Sequence, residues 1–317
     1  MFKQNWITAI ALSALLLASQ TGSALAAQTT TSGSTQYSLV WQGITRTYLV
    51  HTPPSLDSSK PVPLVFLFHG AGGTGANAES TYGMDSIADK YGFIIVYPNG
   101  IDHLWNTGEP NSPQVDDVGF VGAMIDALGL QFNINSRAIF PCGMSDGALM
   151  SNYLGLVSTS SFCAIGSVAG DIPTPDANLK PSRPIAVILI HGNKDPLVPF
   201  NGGTITGTDA TVLSHAQTLA DWESYDGGVT TTLSNYTIPS VNGSNLGANH
   251  DAVNTPTQVS ELQTASRQHC VSVIVNNGGH TWPGHPEDAL HGADGITAMN
   301  FDASELLGRF FMSMVAK

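Results

Sequence analysis

Residues 137–157 read RAIFPCGMSDGALMSNYLGLV, an apolar run, a glycine-flanked serine and a second apolar segment in succession. Ala138-Ile139-Phe140 is a short apolar run of the kind that forms a buried strand, and ALMSNYLGLV (148–157) has the composition of a helix. Between them lies Gly143-Met144-Ser145-Asp146-Gly147. A serine at the tip of a sharp strand-to-helix turn needs small residues two positions before and two after it, because strand and helix must approach closely there. Gly-x-Ser-x-Gly alone is weak evidence in a chain with 33 glycines. Set between a strand and a helix, it marks Ser145 as a candidate nucleophile.

The rest of the chain supplies the frame such a turn requires. YSLVWQGITRTYLVHTP (37–53) alternates as a hairpin with its turn near Gly43. PLVFLFHG, GFIIVYPNG, RAIFPCG, AIGSVAG, IAVILIHG and CVSVIVNNGG are near-continuous apolar runs, as expected of parallel strands covered on both faces. Helical patterns lie between them. In DDVGFVGAMIDALGL (116–130), Val118, Val121, Ile125 and Leu128 form one stripe, with Asp116 or Asp117 placed to cap it. In DASELLGRFFMSMV (302–315), Asp302 and Glu305 form a capping-box pattern ahead of Leu306, Phe310 and Met314. Strand–helix alternation over the whole length predicts one α/β domain, residues 37–317, with a mostly parallel, doubly wound sheet of about eight strands and helices on both faces. Residues 239–260 are polar and aperiodic and read as a long surface excursion.

In open α/β sheets, ligands bind at the carboxyl ends of the strands. A serine hydroxyl is scarcely ionised at neutral pH and needs a base, itself oriented by an acid. His280 follows the last apolar run, and Asp195 follows IAVILIHG. The order Ser145, Asp195, His280 is the one a nucleophile elbow of this type uses. Asp171, after the SVAG run, is a rival acid. The negative oxygen that develops on attack needs fixed N–H donors. The backbone of Asp146 supplies one, and the glycine-rich loop HGAGGTG (69–75) supplies another, best placed at Ala71. A phosphate cradle is the alternative for that loop, and the Gly-Lys-Ser/Thr that a P-loop needs is absent.

Bulk properties limit the partners. Charged residues make up 11% of the chain, against roughly 25% in an average globular protein, and the net charge is −13. Nothing forms a basic stripe, which argues against nucleic acid and anionic membranes as partners. A neutral or sugar-like substrate fits the charge better, and a monomer is expected. Residues 1–26 read as a signal peptide: Lys3, the apolar run ITAIALSALLLA, and the small-x-small site Ala24-Leu25-Ala26. The expected location is therefore extracellular or periplasmic, with 27–36 a flexible spacer. Three cysteines leave at least one thiol unbridged; Cys142 is expected at the opposite edge of the sheet from Cys163 and Cys270, which leaves only the last two as a candidate pair. HPEDALHGAD (285–294) gathers acids and histidines without a ligand spacing and reads as a solvated loop. No metal or organic cofactor is expected.

HGAGGTG, YPNG (97–100), Trp105-Asn106, VDDVGF (115–120), GMSDGALM, HGNKDPLVPF (191–200) and GGHTWPG (278–284) occur in this order over residues 65–284. With them the chain resembles the secreted polyhydroxybutyrate depolymerase and feruloyl/acetylxylan esterase family of the α/β-hydrolases. The resemblance implies an α/β-hydrolase fold, a Ser145–Asp195–His280 triad and hydrolysis of carboxylic esters through an acyl-enzyme. It departs at TGEPNSP (107–113), where many relatives carry a cysteine, and at 239–268, which is longer and more polar. Trp105 and Trp282 are expected either to stack on the substrate or to pack as anchors. A peptidase or acyltransferase on the same fold, and a non-catalytic polymer-binding protein, are the competing readings.

Overall fold

A computed structural model describes residues 28–29, 34–109, 112–158, 162–240, 255–285 and 291–315. The chain runs β1 (Gln28–Thr29), β2 (Thr35–Trp41), β3 (Ile44–His51), β4 (Val62–Phe68), α1 (Gly75–Tyr82), α2 (Met84–Tyr91) and β5 (Ile94–Pro98). Then come α3 (Asp117–Gly129), β6 (Ile134–Met144), α4 (Asp146–Val157), β7 (Ala164–Val168) and β8 (Ala186–Gly192). The remainder is β9 (Gly203–Thr204), β10 (Thr211–Val212), α5 (His215–Tyr225), β11 (Val229–Ile238), β12 (Thr257–Thr264), β13 (His269–Val275), α6 (His291–Asp294) and α7 (Ala303–Val315).

One sheet takes the order β1-β2-β3-β5-β4-β6-β7-β8-β13-β12-β11. Its centre, β5 through β13, is parallel, and both flanks are antiparallel. β4, β5, β7 and β8 are buried at every residue, which is why they carry continuous apolar runs rather than alternation. Helices α2 and α7 cover one face, with Met84, Ile87, Leu307, Phe311 and Met314 against the sheet. Helices α3 and α4 cover the other with Phe120, Val121, Met124, Met150 and Leu154, and α5 adds Trp222.

Among the described residues the sheet has eleven strands where about eight were expected. The extra ones are β1 and the β11–β12 pair. β11 is exposed along nearly its whole length, so it needs no apolar face and escapes a search for one. β12 takes the last residues of the stretch read as a surface excursion; most of that excursion (241–254) lies outside the described residues. The signal segment 1–26 also lies outside them. Within the expected spacer, Gln28 and Thr29 pair with Gln36 and Thr35, and Ser34 is buried.

Local signals resolve in detail. The hairpin turns at Gln42 and Gly43, both at positive φ (49° and 82°), the backbone a two-residue primed turn demands. Asp116 caps α3 by accepting from the Gly119 N–H at 2.7 Å. The buried face of α3 is Phe120, Val121, Met124 and Leu128, with Val118 and Ile125 only partly covered. Asp302 caps α7, accepting from the Ser304 and Glu305 N–H groups at 2.8 and 3.2 Å. Glu305 does not complete a capping box; its carboxylate accepts instead from Lys90 and Tyr91, which ties α7 to α2. No disulfide joins Cys142, Cys163 and Cys270.

Candidate active site

Ser145 sits at the junction of β6 and α4 with φ 56° and ψ −121°, a backbone region that side-chain-bearing residues rarely adopt. The flanking glycines are required by contact. A Cβ on Gly147 would stand 2.1 Å from the Phe68 carbonyl oxygen, and one on Gly143 would stand 2.5 Å from Gly147. The end of β4 therefore presses directly on the elbow. The Ser145 N–H is satisfied by the Val168 carbonyl at 3.0 Å, so the strained residue is held from both sides.

The loop after β4 lies against the serine. A Cβ on Gly70 would be 3.3 Å from Ser145 Cβ and 3.9 Å from its Oγ. His69 fixes this loop: its Nε2 accepts from the Gly100 N–H at 3.0 Å and its Nδ1 donates to the Gly70 carbonyl at 2.8 Å. Burial pushes the His69 ring down to about 4, so it is neutral, as an accepting Nε2 requires. His103 Nδ1 donates to the Gly73 carbonyl and its own carbonyl accepts from Gly72. Ala71 is exposed and, with Ser145 and Asp146, lines a cavity of about 160 Å³ whose other walls include Trp105, Leu149 and Val198.

Asp146, first in α4, accepts from the Trp105 N–H at 2.9 Å through its carboxyl. Burial raises this carboxyl to about 7, with the Asp117 charge adding and the Trp105 hydrogen bond opposing. Trp105 is fully buried; its Nε1 donates to the His69 carbonyl at 2.9 Å and its ring meets Phe68 edge-on. Its indole thus holds the loop and walls the cavity together. The VDDVGF signal acquires a physical meaning here: Asp117 accepts from the Asn106 N–H at 2.8 Å and from Arg46 at 2.6 Å, which pins the Trp105-Asn106 turn to α3 and β3.

Asp195 and His280 are brought together. His280 Nδ1 donates to Asp195 Oδ2 at 2.8 Å, with both side chains nearly inaccessible. The two loops that carry them are stitched by Asn193, whose side chain donates to Asn276 and accepts from the Asn277 N–H, and by the Lys194 N–H to the Gly278 carbonyl. A Cβ on Gly192 would stand 2.3 Å from the Gly278 oxygen. Asp195 Oδ1 accepts from the Leu197 and Val198 N–H groups, each at 2.8 Å, and Val198 is itself a wall of the cavity beside Ser145. Burial favours the neutral acid, but hydrogen bonds and charge from His191 and His280 outweigh it and bring Asp195 down to about 2.

Asp171 is not against His280. Its Oδ2 accepts from His191 Nδ1 at 2.8 Å, and His191 lies between it and Asp195. His191 was not singled out from the sequence, although it ends the same apolar run that leads to Asp195. Trp282 lies in the core rather than on the cavity: its ring stacks on Tyr82 with centroids 4.3 Å apart, and its Nε1 donates to Ser304 at 2.9 Å. That contact anchors the His280 loop to α1 and α7 and leaves the indole no surface for substrate.

Among the described residues, Asp171, His191 and His215 bring ligand-type atoms within 4.8 Å of one another. Both nitrogens of His191 already face oxygen acceptors at hydrogen-bond distance, so that ring is placed as a donor rather than as a metal ligand. In the expected loop 285–294, His285 Nε2 lies 3.3 Å from Asp302 Oδ1, and residues 286–290 lie outside the described set.

A family model, esterase PHB depolymerase, matches residues 46–174. The chain is 29% identical over 266 residues to a putative esterase, NocK, of Nocardia uniformis subsp. tsuyamanensis, covering 79% of this chain and 74% of that one. It is 32% identical over 202 residues to a probable feruloyl esterase C of Aspergillus clavatus, covering 60% of this chain and 70% of that protein. For the probable feruloyl esterase C of Aspergillus terreus, 33% identical, the chain spans 58% of the relative's length. In fold it is similar to an acetyl xylan esterase from Aspergillus awamori, with a TM-score of 0.51 at 15% identity over 74% of this chain and 89% of the other. The fold is that of the α/β-hydrolases.

Proposed function

The chain belongs to the esterase PHB depolymerase family of carboxylic ester hydrolases, and on that premise we propose that it is a secreted serine esterase using Ser145, Asp195 and His280. The observation that carries this reading is the buried 2.8 Å bond from His280 to Asp195, whose acid lies on a loop that borders the cavity at the Ser145 elbow through Val198. His280 takes the Ser145 proton as Oγ attacks the ester carbonyl. The backbone N–H groups of Asp146 and Ala71 hold the oxyanion. His280 then gives its proton to the departing alcohol, leaving an acyl group on Ser145. Water activated by the same ring releases the acid, and Asp195 orients the imidazole and balances its transient charge.

The substrates proposed are polyhydroxyalkanoate-type polyesters or the feruloyl and acetyl esters of plant polysaccharide. The cavity supports an acyl group with apolar sides, since Leu149, Val198, Ile205 and Trp105 line it. Export is proposed from the 1–26 segment. The test is hydrolysis of methyl ferulate, acetylated xylan and amorphous polyhydroxybutyrate by the purified protein. Release of acid from at least one is expected; a folded protein that cleaves none of them, nor a short p-nitrophenyl ester, contradicts the proposal.

A further inference from the structure

We propose that Asp171 and His191 form a second acid–histidine couple behind Asp195, in which a doubly protonated His191 ring positions the triad acid and tempers its charge toward His280. The inference rests on the triad reading above. Asp195 Oδ2 receives two donors, His280 Nδ1 at 2.8 Å and His191 Nε2 at 3.2 Å. His191 Nε2 also faces the Val198 carbonyl at 3.1 Å, and its Nδ1 faces Asp171 Oδ2 at 2.8 Å. Every neighbour of the two ring nitrogens is therefore an acceptor. A neutral imidazole would aim a lone pair at an oxygen, so the ring needs both protons.

The surroundings agree. His191, Asp171 and Asp195 side chains are all fully inaccessible. Burial disfavours a charged ring, but the Asp171 and Asp195 carboxylates overcome it and hold His191 up to about 9. The other groups facing this centre are the His215 ring, 6.0 Å from that of His191, and the Phe200 ring at 5.5 Å. His215 Nδ1 lies 3.7 Å from Asp171 Oδ1 and its Nε2 pairs with Ser272 at 2.9 Å. Burial pushes His215 down to about 4, so it adds no second positive charge. The run Asp171–His191–Asp195 thus places one cation between two carboxylates.

A cation on the far side of Asp195 weakens the hold of that carboxylate on a protonated His280. Its removal should let His280 keep a proton to higher pH, and a protonated His280 cannot act as base. The experiment is the pH dependence of kcat/KM with a short p-nitrophenyl ester for wild type, His191→Gln, and the double variant His191→Gln/Asp171→Asn, which leaves no unpaired buried carboxylate should the single variant fail to fold. The acidic limb is expected to move up by about one pH unit in His191→Gln, and in the same direction by a smaller amount in the double variant, which also removes the Asp171 charge, with KM within about twofold. An unmoved limb overturns the proposal. In wild type labelled with 15N-histidine, one ring is expected to remain doubly protonated at pH 8; none doing so also overturns it. Ser145→Ala separates the two readings: if it is inactive while the limb is unmoved, only the second couple fails, and if it retains activity, the triad fails and the couple with it.

Discussion

At Ser145 a non-glycine residue occupies φ 56°, ψ −121°, and the surroundings leave it no alternative. Its N–H is bound by Val168, and the glycines on either side are fixed by backbone at 2.1 to 2.5 Å from where their Cβ atoms would be. Strain of this kind costs on the order of 1–3 kcal/mol and serves to present Oγ above the sheet edge. Ser145→Gly should therefore abolish turnover and yet raise stability by about 1 kcal/mol, measured by urea denaturation. A loss of stability would mean that the serine side chain is held by contacts that outweigh its strain. These residues were legible in sequence because such a turn admits so few residue types. Asp195 and His280 were legible for a related reason, each lying just beyond an apolar run. His191 was not: a histidine at the end of a buried strand has no spacing that distinguishes it from packing, and only its three acceptors reveal its state.

Among the elements, α3 is held to β3 by Arg46 and Asp117, a fully buried pair at 2.6 Å with the guanidinium lying 4.1 Å over the Phe120 ring. Arg46 donates also to the Asn99 carbonyl, so one cation joins β3, the turn after β5 and α3. Asp117→Ala leaves that cation without its partner and frees the Asn106 N–H. A destabilisation of roughly 3–5 kcal/mol is expected, read as a fall in the urea midpoint with unchanged slope; a change below about 1 kcal/mol would contradict this account of the pair. The parallel strands could be read from sequence because burial on both faces makes them continuously apolar. β11 could not, because VTTTLSNYTI is exposed nearly throughout, and β12 could not, because TQVSELQT is mostly polar and half-buried. Its threonines and valine favour strand geometry, but a polar ribbon at the sheet edge carries no hydrophobic period.

The molecule as a whole buries several carboxyls without a countercharge. Burial raises Asp146, Asp176 and Asp226 each to about 7, with the Glu109 charge adding at Asp176. Asp226 keeps one oxygen without a hydrogen-bond partner. Groups whose folded values lie above their unfolded ones bind protons more tightly in the native state, so their contribution is present at low pH and lost as pH rises through the folded value. His191, held at about 9, acts in the same direction. Asp195, near 2, acts oppositely, but only below about pH 4. The melting temperature is therefore expected to fall between pH 6 and pH 9 at constant ionic strength; a flat profile or a rise toward pH 9 would contradict the burial of these acids.

The role of Ser145 as nucleophile is decided by the turnover of a short p-nitrophenyl ester by Ser145→Ala, with the variant's circular dichroism matched to wild type. Activity is predicted to fall by at least about 10³-fold while the fold is unchanged. Turnover within tenfold of wild type by a folded Ser145→Ala protein would contradict it.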